Sequence, residues 1–295
     1  MEDPFGSYHP AICFTFFIAA VVFGMMFVHP AFLAVSIVCA SLYYLLLKGA
    51  AGAKFMLGML TLMLVLSLVN PLFNTYGNTV LFTYFGDRPY TLEALAYGVA
   101  LAVMFGSVLI WFACYNVVMS SDKFTYLFAR FIPSLSLIFT MVLRLVPNYR
   151  RQTAVISNAR MCVGKATSEG SKKTKLDNAV TILSSLTSWA LENAIVTGDS
   201  MRSRGYGVGH RSNFAIYRMD ARDKVLLAVL ALATAGVVCT SFMGGMAVQY
   251  TPAIELAPMG PVTLAALACY AVLLVIPSAI HIWEDATWHI LRSRI

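Results

Sequence analysis

Six runs without a single charged side chain, residues 11–28, 31–47, 55–73, 96–119, 225–248 and 261–280, decide what this chain can fold into. Each is about as long as the roughly 20 residues that a helix needs to cross a hydrocarbon core of about 30 Å. A backbone in lipid must satisfy its own polar groups, so runs of this kind are expected as helices. Charged residues make up 12% of the 295-residue chain, against about 25% in soluble domains. The expected fold class is therefore an all-α polytopic membrane protein with about six transmembrane helices. Its amino-terminal stretch MEDPFGSYHP is acidic and has no basic n-region, so no cleavable signal peptide is expected. The six cysteines are scattered without a CxxC pair and read as small apolar side chains.

The basic residues orient the spans. Residues 120–224, between spans four and five, hold 16 Lys+Arg and 7 Asp+Glu, a net +9, while the rest of the chain has 5 and 7, a net −2. The long segment and both termini are thus expected on the cytoplasmic side. This divides the chain into N-terminal spans (1–119), a cytoplasmic helical coupling region (120–224) and C-terminal spans with a tail (225–295).

Within the basic segment, Pro133 is suited to open a helix and Pro147 to stop it, giving a piece of about 14 residues at the membrane surface. The alternative, a seventh short span, would put Arg202 and Arg204 outside, against the positive-inside count. Residues 149–164 then form a modest amphipathic helix and 164–175 a polar linker. Asp177 is a candidate N-cap for a helix over 178–204, with Ile182, Leu183, Leu186, Trp189, Ala190, Ala194 and Met201 on one face. Gly205 sits where a left-handed glycine would end it, and Gly198 is a weak point inside it. Arg202 and Arg204 would then lie on the last turn. Arginine offers a planar fork of donors that suits carboxylates and exposed carbonyls, so a helix end bearing it can act as a docking plug.

Two motifs, NARM at 158–161 and SMRSRGYG at 200–207, fall at the ends of these two helices. In this the chain resembles the transmembrane T component of energy-coupling factor (ECF) transporters, ABC-type importers. That family carries two short Ala-Arg-Gly signatures on cytoplasmic coupling helices. Carried over by residue, Ala159 and Arg160 match the first signature, and Ser203, Arg204 and Gly205 the second. Met161 stands at the usual glycine of the first signature, and Ser203 at the alanine of the second. The resemblance implies two ATPase subunits as partners, which bind the ATP. It also implies a membrane-embedded S component that captures a vitamin, metal ion or other trace solute.

The chain itself is expected to be non-catalytic, without a cofactor, and embedded in the lipid bilayer of the cell membrane; no nucleic-acid partner is expected. The GYGVG stretch is flanked by Arg204 and Arg211, which argues against a carbonyl-lined ion filter. No GxxxxGK[ST] loop is present. His281, Asp285 and His289 share a helical spacing that could hold a metal, but they read better as an interfacial helix beside Trp283 and Trp288. A self-contained permease or channel is the competing reading.

Overall fold

The computed structural model describes residues 3–84, 88–129, 133–165, 171–208, 217–243, 248–250, 255–256 and 260–292. Nine α-helices account for most of these: α1 (Pro10–Met26), α2 (Pro30–Lys48), α3 (Ala50–Phe73), α4 (Leu92–Val118), α5 (Ser121–Ala129), α6 (Pro133–Cys162), α7 (Lys172–Ser203), α8 (Ala221–Phe242) and α9 (Pro261–Arg292). Two short antiparallel ribbons join them, β1 (Val80–Tyr84) with β2 (Arg88–Thr91), and β3 (Val248–Gln249) with β4 (Glu255–Leu256). The chain forms two compact units, residues 1–124 with 217–295, and residues 125–216.

Among the described residues, α2, α3, α4, α7, α8 and α9 are long and apolar enough to cross a membrane. At 17 residues, α1 is the shorter apolar helix. Six runs were expected to give α1, α2, α3, α4, α8 and α9; the structure adds α7, the least apolar of the long helices, to those whose length and composition would allow a crossing.

The first two helices start the way their sequence repeats suggest. In YHPA and VHPA the histidine is the N-cap and the proline is the first helical residue. Nδ1 of His9 accepts from the Ala11 amide and Nδ1 of His29 from the Ala31 amide, each at 3.2 Å. Proline tolerates this position because its missing N–H would be unpaired there. Burial holds the His29 imidazole below its usual pKa, which keeps the neutral ring whose lone pair makes the cap.

An aromatic knot joins α1, α2 and α4. Trp111 of α4 is fully buried, with Phe16 and Phe17 of α1 at 5.5 and 6.3 Å and Tyr43 of α2 at 6.3 Å between ring centroids. The Trp111 indole N–H donates to Ser36 Oγ at 3.4 Å. Phe5, on a single 3-10 turn (Phe5–Ser7), enters the same knot and is fully buried. The Tyr43 hydroxyl donates to Asp3 Oδ2 at 2.9 Å, and the Lys123 ammonium donates to the carbonyls of Gly6 at 2.7 Å and Val118 at 2.9 Å. The acidic N-terminus is therefore built into the helix bundle, a role that its composition gave no reason to expect.

Helices α3 and α4 approach closely at Gly98, where a Cβ would meet the Ser67 carbonyl oxygen at 2.8 Å and Asn70 Cβ at 2.9 Å. With no hydrophobic drive between helices in lipid, close backbone approach at small residues is a main source of association. Gly98→Leu should separate α3 from α4 and destabilise the bundle by about 1–3 kcal/mol, as overpacking does. A thermal melt in detergent that matched wild type would contradict this contact.

Three boundaries differ from the sequence expectation. The loop expected around Lys48 and Lys54 is one residue, Gly49 at φ 57°, so Lys54 lies inside α3. The ribbon β1–β2 was not foreseen; Glu93 fixes it by accepting from the Thr79 amide at 3.2 Å and hydroxyl at 2.6 Å. Helix α4 begins at Leu92 rather than Ala96, because Thr91 caps it through the Ala94 amide.

Candidate functional site

The two arginine motifs lie in the unit of residues 125–216, on α6 and α7. Helix α6 runs through Pro147 without ending, so the surface helix and the amphipathic helix expected as two pieces are one helix of 30 residues. Proline at this position costs one backbone hydrogen bond, to the carbonyl four residues earlier, and the rest of the ladder continues on both sides. Helix α7 begins at Lys172 instead of after Asp177, taking up part of the expected linker, and passes through Gly198 unbroken. Residues 166–170 of that linker, Arg211 and the side chain of His289 lie outside the described residues.

Two contacts set the α6–α7 pairing. Tyr149 meets Trp189 edge to face at 5.7 Å, and Arg160 Nη2 donates to Asn178 Oδ1 at 2.8 Å. Moving 11 residues up one helix moves 11 down the other, so the helices are antiparallel. The paired face of α7 consists of buried Asn178 and Ile182 and half-buried Leu186, Trp189, Ala190 and Asn193. Leu183 and Ala194, expected on that face, are exposed. Leu183 belongs instead to an opposite stripe with Leu176, Val180, Leu191 and Ile195, every member more than half exposed. Helix α7 thus carries two apolar faces, of which one is covered by α6.

Both helices end in the same way. At the end of α7 the Gly205 amide bonds to the Arg202 carbonyl and the Tyr206 amide to the Met201 carbonyl, each at 3.0 Å, with Gly205 at φ 78°. At the end of α6 the Gly164 amide bonds to the Met161 carbonyl and the Lys165 amide to the Arg160 carbonyl, each at 3.0 Å, with Gly164 at φ 73°. These are Schellman motifs, in which a left-handed glycine lets two amides satisfy the last carbonyls. The glycine replaced by Met161 is thus supplied three residues later.

The motifs are not equivalent in consequence. Arg204 is the C-cap residue of α7 and is exposed, as are Ser203 and Gly205. The Ser203 hydroxyl donates to the Asp199 carbonyl at 2.9 Å. Arg160 lies in the last turn of α6, half-buried, with its guanidinium on Asn178 and its buried Nε without an acceptor among the described residues. Ala159 beside it is exposed.

The antiparallel pairing puts the two arginines at opposite ends of the hairpin. From Asn178, which holds Arg160, to Arg204 is 26 residues along α7, about 40 Å at 1.5 Å per residue. Each end is basic. Helix α7 opens on exposed Lys172, Lys173 and Lys175 with no acid in its first turn and no side-chain cap from Ser171. Those cations sit where the helix dipole favours anions, and local arrangements of this unfavourable kind concentrate at functional sites. At the other end Arg202 and Arg204 extend into solvent, and no ion pair involving either exists among the described residues.

Gly205→Ala tests the end geometry. A side chain at φ 78° costs about 1–2 kcal/mol in the left-handed region, so the last turn of α7 should fray. Faster amide exchange at position 205 and at Tyr206 is the expected readout, and unchanged exchange would show that the glycine is dispensable.

His281 and Asp285 pair at 3.5 Å on α9. Among the described residues no group of three or more His, Cys, Asp or Glu is placed to hold a metal ion. No protein-family model matches this chain, and no curated protein matches it in sequence.

Proposed function

We propose that this protein is the transmembrane coupling subunit of an ECF-type ABC importer. In this reading α6 and α7 are cytoplasmic coupling helices. The observation that carries it is the hairpin with an arginine and a left-handed glycine at each end, about 40 Å apart along α7. Two docking points so far apart suit two separate ATPase subunits better than one. Arg204, with Ser203 and Gly205, would enter an acidic groove on one ATPase. The end formed by Ala159, Arg160 and the lysines of α7 would meet the other. Closure of the ATPase pair would then move the two hairpin ends, and the exposed apolar stripe of α7 offers a surface through which that motion reaches an S component. The S component would select the solute, a vitamin, a metal ion or another trace nutrient, and the ATPases would hydrolyse the ATP.

The net +9 of residues 120–224 supports a cytoplasmic location for this unit. Polar Glu192, Asn193 and the serines and threonines of 181–188 suit α7 better to a protein surface than to lipid. Lys173→Cys in a cysteine-depleted background should react with an impermeant maleimide only from the cytoplasmic side; labelling from outside intact cells would overturn the orientation.

The assembly is tested by affinity purification of the chain in mild detergent. A coupling subunit should bring two ATP-binding subunits and a small membrane protein with it. Purification of the chain alone, with transport activity retained after reconstitution, would establish a self-contained permease instead.

A further inference from the structure

A groove of about 470 Å3 opens in the membrane unit where the start of α1, the start of α8 and the emerging end of α9 meet. Its walls carry two opposite charges that do not neutralise each other. Arg222, in the first turn of α8, lies over the ring of Tyr8 with its guanidinium carbon 5.1 Å from the ring centroid. Glu284 of α9 faces the same groove, and neither residue forms an ion pair among the described residues. The neighbouring acid on α9, Asp285, instead has its carboxylate 3.5 Å from Nδ1 of His281. The floor is apolar, Ala279 and Ile280, and Trp283 at the rim is 79% exposed.

The depth of the groove follows from helix length. Counting from Pro261, about 20 residues of α9 span roughly 30 Å and end at Ile280. Glu284 is therefore one turn beyond the apolar stretch, at headgroup level. Tyr8 just before α1 and Arg222 just before the apolar part of α8 lie at the same level, and tyrosine and tryptophan are enriched there. A groove at this depth, apolar below and doubly charged above, matches the end of a phospholipid: glycerol and the upper acyl chain on Ala279 and Ile280, phosphate on Arg222, and a cationic headgroup on Glu284.

We propose that this groove binds a phospholipid with a primary-ammonium headgroup, phosphatidylethanolamine. Arg222 is pre-oriented by Tyr8 and presents its fork of N–H donors to the phosphate. The ammonium donates to the Glu284 carboxylate. A choline headgroup has no N–H to donate, and the Tyr8 face that could wall a choline cage is taken by Arg222. A glycerol headgroup leaves Glu284 without a cation. The site is independent of the coupling role, because it uses no residue of α6 or α7.

Native mass spectrometry of the full chain released from detergent tests this. The protein is equilibrated with equimolar phosphatidylethanolamine, phosphatidylcholine and phosphatidylglycerol of identical acyl chains. Phosphatidylethanolamine is expected to be retained about tenfold over each competitor, the effect of one charge-assisted hydrogen bond. Glu284→Gln should erase the preference for phosphatidylethanolamine over phosphatidylglycerol, and Arg222→Gln should lower retention of all three lipids. Neither side chain is buried, so both variants should keep the wild-type elution volume in gel filtration. Soluble O-phosphoethanolamine should not displace the lipid at equal concentration; if it does, the site takes a free phosphate compound and the lipid assignment is wrong. Equal retention of the three lipids by wild type, or a preference unmoved by Glu284→Gln, would also overturn the proposal.

Discussion

In the proposed coupling role, Arg204→Glu is expected to weaken docking of one ATPase subunit by tens to thousands of times while leaving the apolar helices folded. Removing one partner of a buried, charge-assisted contact costs about 2–5 kcal/mol, and each 1.4 kcal/mol is a factor of ten. The glutamate adds repulsion against an acidic groove, so it should act more strongly than Arg204→Ala. Lysine at this position should rescue only in part, because an ammonium lacks the planar fork. Within the free protein the change is mild. Arg204 is exposed at the C-cap and contributes its backbone, not its side chain, to the helix end. Glutamate there meets the negative end of the helix dipole, a cost of about 0.3–1 kcal/mol. Arg202, about 200° around the helix, points elsewhere, and Arg202→Ala should have a smaller effect. Co-purification of the ATPase subunits over a salt series, with gel filtration as the folding control, measures all four variants.

Asn178→Ala is expected to loosen the α6–α7 hairpin, through a contact that no local sequence pattern announces. The substitution removes the acceptor of the Arg160 guanidinium and leaves a half-buried cation whose Nε already lacks one among the described residues. Leaving such a group unpaired costs about 1–3 kcal/mol. Arg160 was expected to be solvated at a helix end and to act on a partner alone, whereas it also ties its own helix to the next. Arg160→Ala should therefore both loosen the hairpin and weaken docking, and Asn178→Ala should loosen the hairpin first and weaken docking through it. In a double-mutant cycle the two changes should be non-additive, as expected for residues in contact. Hydrogen exchange over residues 155–162 and 172–182 should accelerate in both variants. Wild-type exchange in Asn178→Ala would show that this hydrogen bond holds nothing together.

The differing behaviour of these two arginines shows where the sequence was readable. Long uncharged apolar runs declare helices able to cross a membrane because their length matches the hydrocarbon thickness, and His-Pro starts and the Gly205 stop are local chemistry that acts within a few residues. Met161 stands at the position where the first signature places its glycine, and the left-handed Gly164 three residues on closes the helix instead. Pro147 does not stop its helix: a proline is a strong stop only where nothing else extends the helix, and α6 carries it at the cost of one hydrogen bond. The Arg160–Asn178 bond spans 18 residues and depends on how two helices pack, so no local pattern announces it. The same holds for Asp3, Phe5 and Lys123, whose contacts join segments 40 and 117 residues apart. Helical spacing alone assigns both Ile182 and Leu183 to one stripe, although they lie 100° apart and belong to the two different apolar faces of α7.

The most direct test is transport-coupled ATP hydrolysis by the complete complex in proteoliposomes, with wild type compared with Arg160→Glu, Arg204→Glu and the double variant. If the hairpin ends are the ATPase docking points, each single variant should lose most of its coupled hydrolysis and the double variant all of it, while the chain remains folded in the bilayer. A double variant that folds, assembles and couples ATP hydrolysis to uptake at the wild-type rate would contradict the proposed role of both arginines.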